Sequence, residues 1–258
     1  MNILLTNDDG YQARGLIKLY DILHEKHQIT VVAPESERSA VSHAITISEP
    51  VKVLPLPQLN GYAVRGTPAD CVKLALLELM PQKPDLVISG INHGTNLGNH
   101  AIYSGTVAAA NDAAMLGFPA LAVSQERGDR QETSFTAAAN FIADLLVVHS
   151  ELKIPPGLFL SVNVPDLPEN MIKGIKFTPQ SPQAMIEGFS KCTDPRGNAY
   201  YWLATNPMLP GEDEDSDIGA ISRGYIAVTP MGHDLTNFNE LKRLRVYSPI
   251  VYPLTGKF

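Results

Sequence analysis

The chain has 258 residues, 44% of them hydrophobic, enough for a full core in one large α/β domain or in one domain with an appendage. A net charge of -7 and a pI near 5.5 argue against a nucleic-acid polymer as partner. Two distant cysteines, Cys71 and Cys192, exclude a disulfide framework and a CxxC zinc pattern and fit a reducing cytoplasm, and no charged leader or apolar run of the ~20 residues that span a bilayer is present.

Residues 2–6 are a short apolar run with a polar residue only at its end, the pattern of a strand buried on both faces. Polarity flips at Asn7-Asp8-Asp9-Gly10, at the carboxyl end of that strand, where open parallel sheets place their ligands. Residues 15–25 carry Leu16, Ile17, Leu19, Tyr20 and Leu23 at helical spacing. Residues 28–33 form a second strand, followed by Pro34 and the polar loop 35–39. Strand, helix and strand within about 30 residues make a βαβ unit with parallel strands and a right-handed crossover. Residues 44–47, 51–54 and 62–65 predict short extended pieces divided by prolines and by Asn60-Gly61, an antiparallel excursion with a hairpin. Thr67 as N-cap, Pro68 at N1 and Asp70 in the first turn start a helix that runs to Met80 and is apolar nearly all round.

Residues 85–89 predict the next strand, which ends in the small and polar run 89–98. Tyr103-Ser104-Gly105-Thr106-Val107 leads into an alanine-rich helix over 108–116. A strand at 118–124, an amphipathic helix at 133–148 and a strand at 158–162 follow, the last closed by Asn163-Val164-Pro165. Beyond residue 170 the rhythm changes, with strands at 172–178, 199–204 and 224–229 and no helix of normal length between them. The acidic run 212–217 reads as a solvated loop without the spacing of a calcium hand, and 236–244 as one short helix. The expected architecture is α/β: a doubly wound, mostly parallel, Rossmann-like core over 1–170. A β-rich region over 171–258 follows, carrying a hairpin of the kind that pairs with a second subunit and a terminal helix.

Asp8 and Asp9 repel each other, and a divalent cation with oxygen ligands would relieve that. The same stretch is also good turn and helix-cap chemistry, and alone it fits both readings. By the switch-point rule Asp8, Asp9, Ser39 and Asn92 can meet above one sheet edge, a hard all-oxygen set suited to Mg²⁺, Mn²⁺ or Ca²⁺ and not to zinc. Taken singly, Ser39 also reads as a loop or cap residue and Asn92 as a turn residue. Ser104-Gly105-Thr106 reads either as an anion cradle at a helix N-terminus or as simple N-capping. Gly90, Gly94 and Gly98 match neither GxGxxG nor a Walker loop, so a dinucleotide enzyme or P-loop NTPase is not supported. His43, His93 and His100 lie in these loops and serve as acid, base or phosphate-steering groups, or as ordinary hydrogen-bonding side chains. Tyr200, Tyr201 and Trp202 alternate too little to define a base-stacking platform and read as strand packing.

Several pieces occur in one order: Asn7-Asp8-Asp9-Gly10, the loop from Ala33-Pro34 through Ser39 to Ile45-Thr46, and Gly66-Thr67-Pro68-Ala69-Asp70-Cys71-Val72. Ser89-Gly90-Ile91-Asn92-x-Gly94-x-Asn96-x-Gly98 and Tyr103-Ser104-Gly105-Thr106-Val107 follow. The series resembles the stationary-phase survival protein SurE family, metal-dependent phosphatases of nucleoside monophosphates, over nearly the full chain. Asn163-Val164-Pro165, Asp215-x-Asp217, Gly224-Tyr225 and Thr229-Pro230 agree with it. The resemblance implies one divalent cation per subunit at the positions matching Asp8, Asp9, Ser39 and Asn92. It implies removal of phosphate from 5'- and 3'-mononucleotides and trimming of short polyphosphate. It also implies a homodimer or homotetramer that exchanges its C-terminal β region. The chain departs from the pattern twice: His100 stands where an acidic residue is usual, and Ala40-Val41-Ser42-His43 lacks the glycine that usually precedes the histidine.

The implied reaction is metal-assisted hydrolysis of a phosphomonoester. Asp8 or Asp9 orients the attacking water or takes its proton, and Asn96, Ser104, Gly105 and Thr106 hold the phosphate oxygens. A covalent aspartyl-phosphate route would favour Asp-x-Asp, because adjacent aspartates point apart from a strand end. A non-catalytic nucleotide or metal sensor acting through its oligomer is the alternative from another class.

Overall fold

The computed structural model describes residues 1–128, 134–152, 154–182, 187–205 and 213–247. In chain order the elements are β1 (Asn2–Thr6), α1 (Arg14–Leu23), β2 (Gln28–Pro34), β3 (Lys52–Leu56), β4 (Gly61–Arg65), α2 (Pro68–Leu74), β5 (Leu86–His93), α3 (Gly105–Met115) and β6 (Ala120–Gln125). They continue as α4 (Thr136–Leu152), β7 (Leu158–Val164), β8 (Ile175–Phe177), β9 (Glu187–Thr193), β10 (Ala199–Thr205), α5 (Asp217–Ser222), β11 (Ile226–Gly232) and α6 (Phe238–Leu244).

The main sheet runs β3-β4-β2-β1-β5-β6-β7-β11-β8. From β4 to β7 every neighbouring pair is parallel; β3 closes one side antiparallel to β4, and β11 pairs antiparallel with β7. The chain leaves β1 in one direction through β2 and β4, then returns to place β5 on the other side of β1. That reversal is a topological switch point, and it opens a crevice at the carboxyl ends of β1 and β5.

Alternation along the strands fills two cores. Ile3, Leu5, Val31, Ile88 and Val123 face α1 and α4 together with Leu16, Leu19 and Ile142. Leu4, Val32, Val87 and Ala122 face α2 and α3 together with Val72, Leu76, Ala110 and Ala113. Helices on both faces of a mostly parallel sheet make the doubly wound architecture expected above.

Several local expectations need correction. Residues 44–47 form no strand; their polar groups go to a side chain of α2 instead of to a neighbouring ladder. The antiparallel hairpin itself is present as β3 and β4, from Lys52 opposite Arg65 to Leu56 opposite Gly61, and its connection is a short 3-10 segment, Pro57–Leu59, with Asn60 in the left-handed region at φ 47°. α2 continues as a π-helical turn over Ala75–Leu79 that buries one side only, leaving Leu77 and Glu78 exposed. β5 extends to His93 through a bulge, because two residues, Gly90 and Ile91, lie between Ser89 and Asn92 opposite the single residue Val123 between Ala122 and Ser124 on β6. Gly90 permits this: φ is 139°, and a Cβ there would sit 2.3 Å from the Val123 carbonyl oxygen. β11 and β8 extend the main sheet, while the C-terminal hairpin β9–β10 forms a sheet of its own. Thr133, at the predicted start of the long helix, and Glu212 of the acidic run lie outside the described residues.

Candidate active site

β1 delivers Asp8 and Asp9 to the switch-point crevice. Asn7 shapes the turn behind them: its Nδ2 donates to the Gly10 carbonyl at 2.9 Å, and its Oδ1 accepts from Gly10 N–H at 3.2 Å. The turn reading of this stretch thus belongs to Asn7 and leaves both aspartates for other partners. Asp8 is 4% exposed, and its Oδ1 accepts from the Thr106 hydroxyl. Gly105 lets α3 approach this closely, since a Cβ on it would lie 2.7 Å from Asp8 Cβ. The positive end of the α3 dipole therefore meets a buried carboxylate.

Asp9 is half-buried and turns toward the bulge on β5, where its Oδ2 accepts from His93 N–H at 3.3 Å. Asn92, one residue earlier, donates its Nδ2 to the Gly94 carbonyl at 2.8 Å. The loop after β2 closes the third side, with Arg38 N–H on the Asp8 carbonyl at 2.7 Å. Ser39 is exposed, and its hydroxyl donates to Glu37 Oε1 at 2.6 Å.

Burial pushes Asp8 up to about 6, against the Thr106 hydrogen bond and with added repulsion from Asp9. Burial also raises Asp9, helped by the charge of Glu37 and opposed by His93 and Arg127. A dipositive ion is the chemistry that offsets such a pair. Among the described residues no cluster of three or more His, Cys, Asp or Glu side chains is arranged to hold a metal. A cation here would draw on two carboxylates plus the neutral oxygens of Ser39 and Asn92, a set that fits Mg²⁺, Mn²⁺ or Ca²⁺.

The remaining residues named from the sequence occupy the same edge. Asn96 donates its N–H to Asn163 Oδ1 and its Nδ2 to Ser124 Oγ, each at 2.8 Å. Ser124 pairs with Asn92 and Asn163 across β5, β6 and β7, so these polar strand ends form one row. Ser104 is the N-cap of α3, its Oγ accepting from Val107 N–H at 3.1 Å. Its capping role is therefore plain, and Thr106 is engaged with Asp8.

A second set of polar residues fixes the loop that carries Ser39. Asp112, buried in the middle of α3, pairs with Lys73 Nζ and with His43 Nδ1 at 3.3 Å, while Asn111 Nδ2 lies 3.3 Å from His43 Nε2. A His43 tautomer protonated at Nδ1 satisfies both neighbours. Thr46 donates its N–H and hydroxyl to Asp70 at 3.0 and 2.6 Å. Ser42 donates to the carbonyls of Tyr103 and Ile102 at 3.1 and 2.7 Å. Ser42 holds φ at 50°, a left-handed value that glycine adopts without strain.

Asp112 was not singled out from the sequence; an acid inside an alanine-rich helix was the available signal. Asp217 stands at the end of the acidic run that composition reads as solvated, yet it is buried. It accepts from Gly98 N–H at 2.8 Å and Ser181 N–H at 2.9 Å, tying the site loop to α5.

The family model described as Survival protein SurE matches residues 3–187. The chain is 48% identical to the 5'-nucleotidase SurE of Syntrophobacter fumaroxidans, over 95% of this chain and 98% of that one. It is 46% identical to the 5'-nucleotidase SurE of Desulfatibacillum aliphaticivorans, over 96% and 100%. Its structure is similar to the crystal structure of the SurE protein from Aquifex aeolicus, with a TM-score of 0.84, 38% identity and coverage of 96% and 100%. Adjacent aspartates at the switch point, the α3 N-terminus set against Asp8 and this near full-length similarity agree: the chain belongs to the SurE family.

Proposed function

We propose that this chain is a divalent-metal-dependent phosphatase that releases phosphate from nucleoside 5'-monophosphates, and that 3'-monophosphates and the ends of short polyphosphate are further substrates. The similar proteins from Syntrophobacter and Desulfatibacillum carry the name 5'-nucleotidase. The observation that carries the reading to the chemistry is Asp8: a buried carboxylate beside a second one, clamped by Thr106 at a helix N-terminus. One Mg²⁺, Mn²⁺ or Ca²⁺ held by Asp8, Asp9, Ser39 and Asn92 would polarise a phosphoryl oxygen and acidify water.

The chain's own residues do the rest. Thr106 fixes the orientation of Asp8, and the His93 N–H fixes Asp9. One of the two carboxylates orients the attacking water and takes its proton. Asn96, held by Ser124 and Asn163, and the Ser104-Gly105 start of α3 line the phosphate side. The reading includes assembly as a homodimer or homotetramer and a cytoplasmic setting; among the described residues no helix is long and apolar enough to cross a membrane.

The test is phosphate release from a panel of nucleoside monophosphates with Mg²⁺, Mn²⁺ or EDTA, using the parent chain and Asp8→Asn. Metal-dependent release is expected, abolished by EDTA and reduced by about 10³-fold or more in Asp8→Asn. A folded, metal-loaded parent that binds nucleotide without releasing phosphate would sink the reading and leave a nucleotide or metal sensor in its place.

A further inference from the structure

The mouth of the site is strongly acidic. Asp8, Asp9 and Glu37 gather there, and Asp9 lies within electrostatic reach of Glu37 on the acidic side and of His93 and Arg127 on the basic side. A phosphate dianion entering this mouth is repelled by the same carboxylates that would hold a cation. Arg127 is an exposed residue just past the end of β6, the strand that carries Ser124 at the site edge. Its Nε donates to the His93 carbonyl at 2.8 Å, and its side chain lies along Gly94, where a Cβ would come within 3.3 Å of Nε.

His93 is thus gripped from both sides, by Asp9 on its N–H and by Arg127 on its carbonyl. The guanidinium is fixed beside the segment that carries Asn92. Among the described residues no carboxylate lies within ion-pair distance of Arg127, and none accepts from its Nη donors. A guanidinium anchored through Nε, with no carboxylate on its Nη end among the described residues, is preorganised for a two-pronged contact with phosphate oxygens.

We propose that Arg127 is the residue that anchors the anionic phosphate group of the substrate at the mouth of the site. The proposal deepens the phosphatase reading and rests on it for the identity of the substrate. The anion chemistry itself is testable with inorganic phosphate, the reaction's product. Arg127 makes no covalent bond and moves no proton; it lowers the free energy of the bound dianion through charge and paired N–H donors.

The experiment compares the parent with Arg127→Gln and Arg127→Lys, all Mg²⁺- or Mn²⁺-loaded, by calorimetric titration with inorganic phosphate at low and high salt. KM and kcat for AMP, metal affinity and melting temperature are measured on the same preparations. Arg127→Gln is expected to weaken phosphate binding and raise the KM for AMP by about tenfold or more, with metal affinity and melting temperature unchanged. Arg127→Lys should recover part of the loss, because charge returns without the fork. Phosphate binding should depend less on salt in Arg127→Gln than in the parent.

Phosphate affinity within about twofold of the parent's in Arg127→Gln would overturn the proposal, and so would a parent that binds no phosphate. A loss of metal affinity parallel to the loss of phosphate binding would also overturn it, showing that Arg127 only braces the Asn92 segment. A parent that binds phosphate through Arg127 yet cleaves no nucleotide would remove the nucleotidase reading and leave the anion anchor standing.

Discussion

Asp112 lies in the middle of α3 at 3% exposure, where a lone carboxylate would be unfavourable by several kcal/mol. Burial does oppose its ionisation. The hydrogen bonds from His43 and Lys73 and the charge of Lys73 outweigh that effect and hold the group below the usual carboxylate range. A carboxylate with a depressed folded pKa stabilises the fold fully above its unfolded value near 4, and that stabilisation is lost as pH falls through the lower folded value. Urea unfolding across pH 7 to 3 should therefore show the parent losing stability below about pH 4, and Asp112→Asn starting about 1–3 kcal/mol lower with a shallower acid limb. An acid limb as steep in Asp112→Asn as in the parent would assign the acid sensitivity to other groups. The same residue explains a limit of sequence reading. His43 was a visible candidate, but its partner is 69 residues away, and only the packing of the loop on α3 brings them together.

At the scale of elements, α3 joins the site to the core. Its N-terminal turn meets Asp8, and its body is buried nearly all round. Helix propensity alone favours alanine over glycine by at most about 1 kcal/mol, so Gly105→Ala would stabilise the fold if packing were open. It is not open, because the new Cβ would meet Asp8 Cβ at 2.7 Å and Oδ2 at 2.9 Å. Steric conflict decides the sign: Gly105→Ala should lower stability by about 1–3 kcal/mol and cut phosphate release by about 10²-fold as Asp8 is displaced. Stability above the parent's with full activity would show that α3 can move away from β1. The beginning of α2 was fully legible, since the Thr67 cap, the N1 proline and the Asp70 reciprocal bond are local chemistry. The end of β5 was not, because Gly90 looks like a strand stop unless the bulge opposite β6 is known. Residues 44–47 have strand-like composition, but Asp70 takes their hydrogen bonds.

For the whole molecule, the parallel core could be read because both faces of each strand are buried and the βαβ order fixes neighbours. The placement of β11 against β7 could not, since antiparallel pairing of a late strand leaves no local mark. β9 escaped for a related reason: Glu187 to Thr193 has no apolar alternation, and β10 alone defines it. The hairpin they form puts Phe189, Tyr201, Trp202 and Leu203 into solvent, with Phe189 71% and Trp202 67% exposed. Phe189 and Leu203 are direct cross-strand partners on one face, and Trp202 lies on the other, so both faces are apolar. A two-stranded hairpin is marginal by itself in water, and exposed aromatics on both its faces gain stability by burial against another surface. Assembly of this chain as a dimer or tetramer through the hairpin follows as an expectation. Trp202 is the chain's single tryptophan, so its fluorescence reports the contact directly. Sedimentation should find the parent oligomeric at micromolar concentration with blue-shifted emission, and dilution should shift emission red as subunits separate. Trp202→Glu should weaken association by about 30-fold or more, the effect of losing a buried aromatic anchor and placing a charge in its pocket. A monomeric parent with red, fully quenchable emission would exclude the hairpin as an assembly surface.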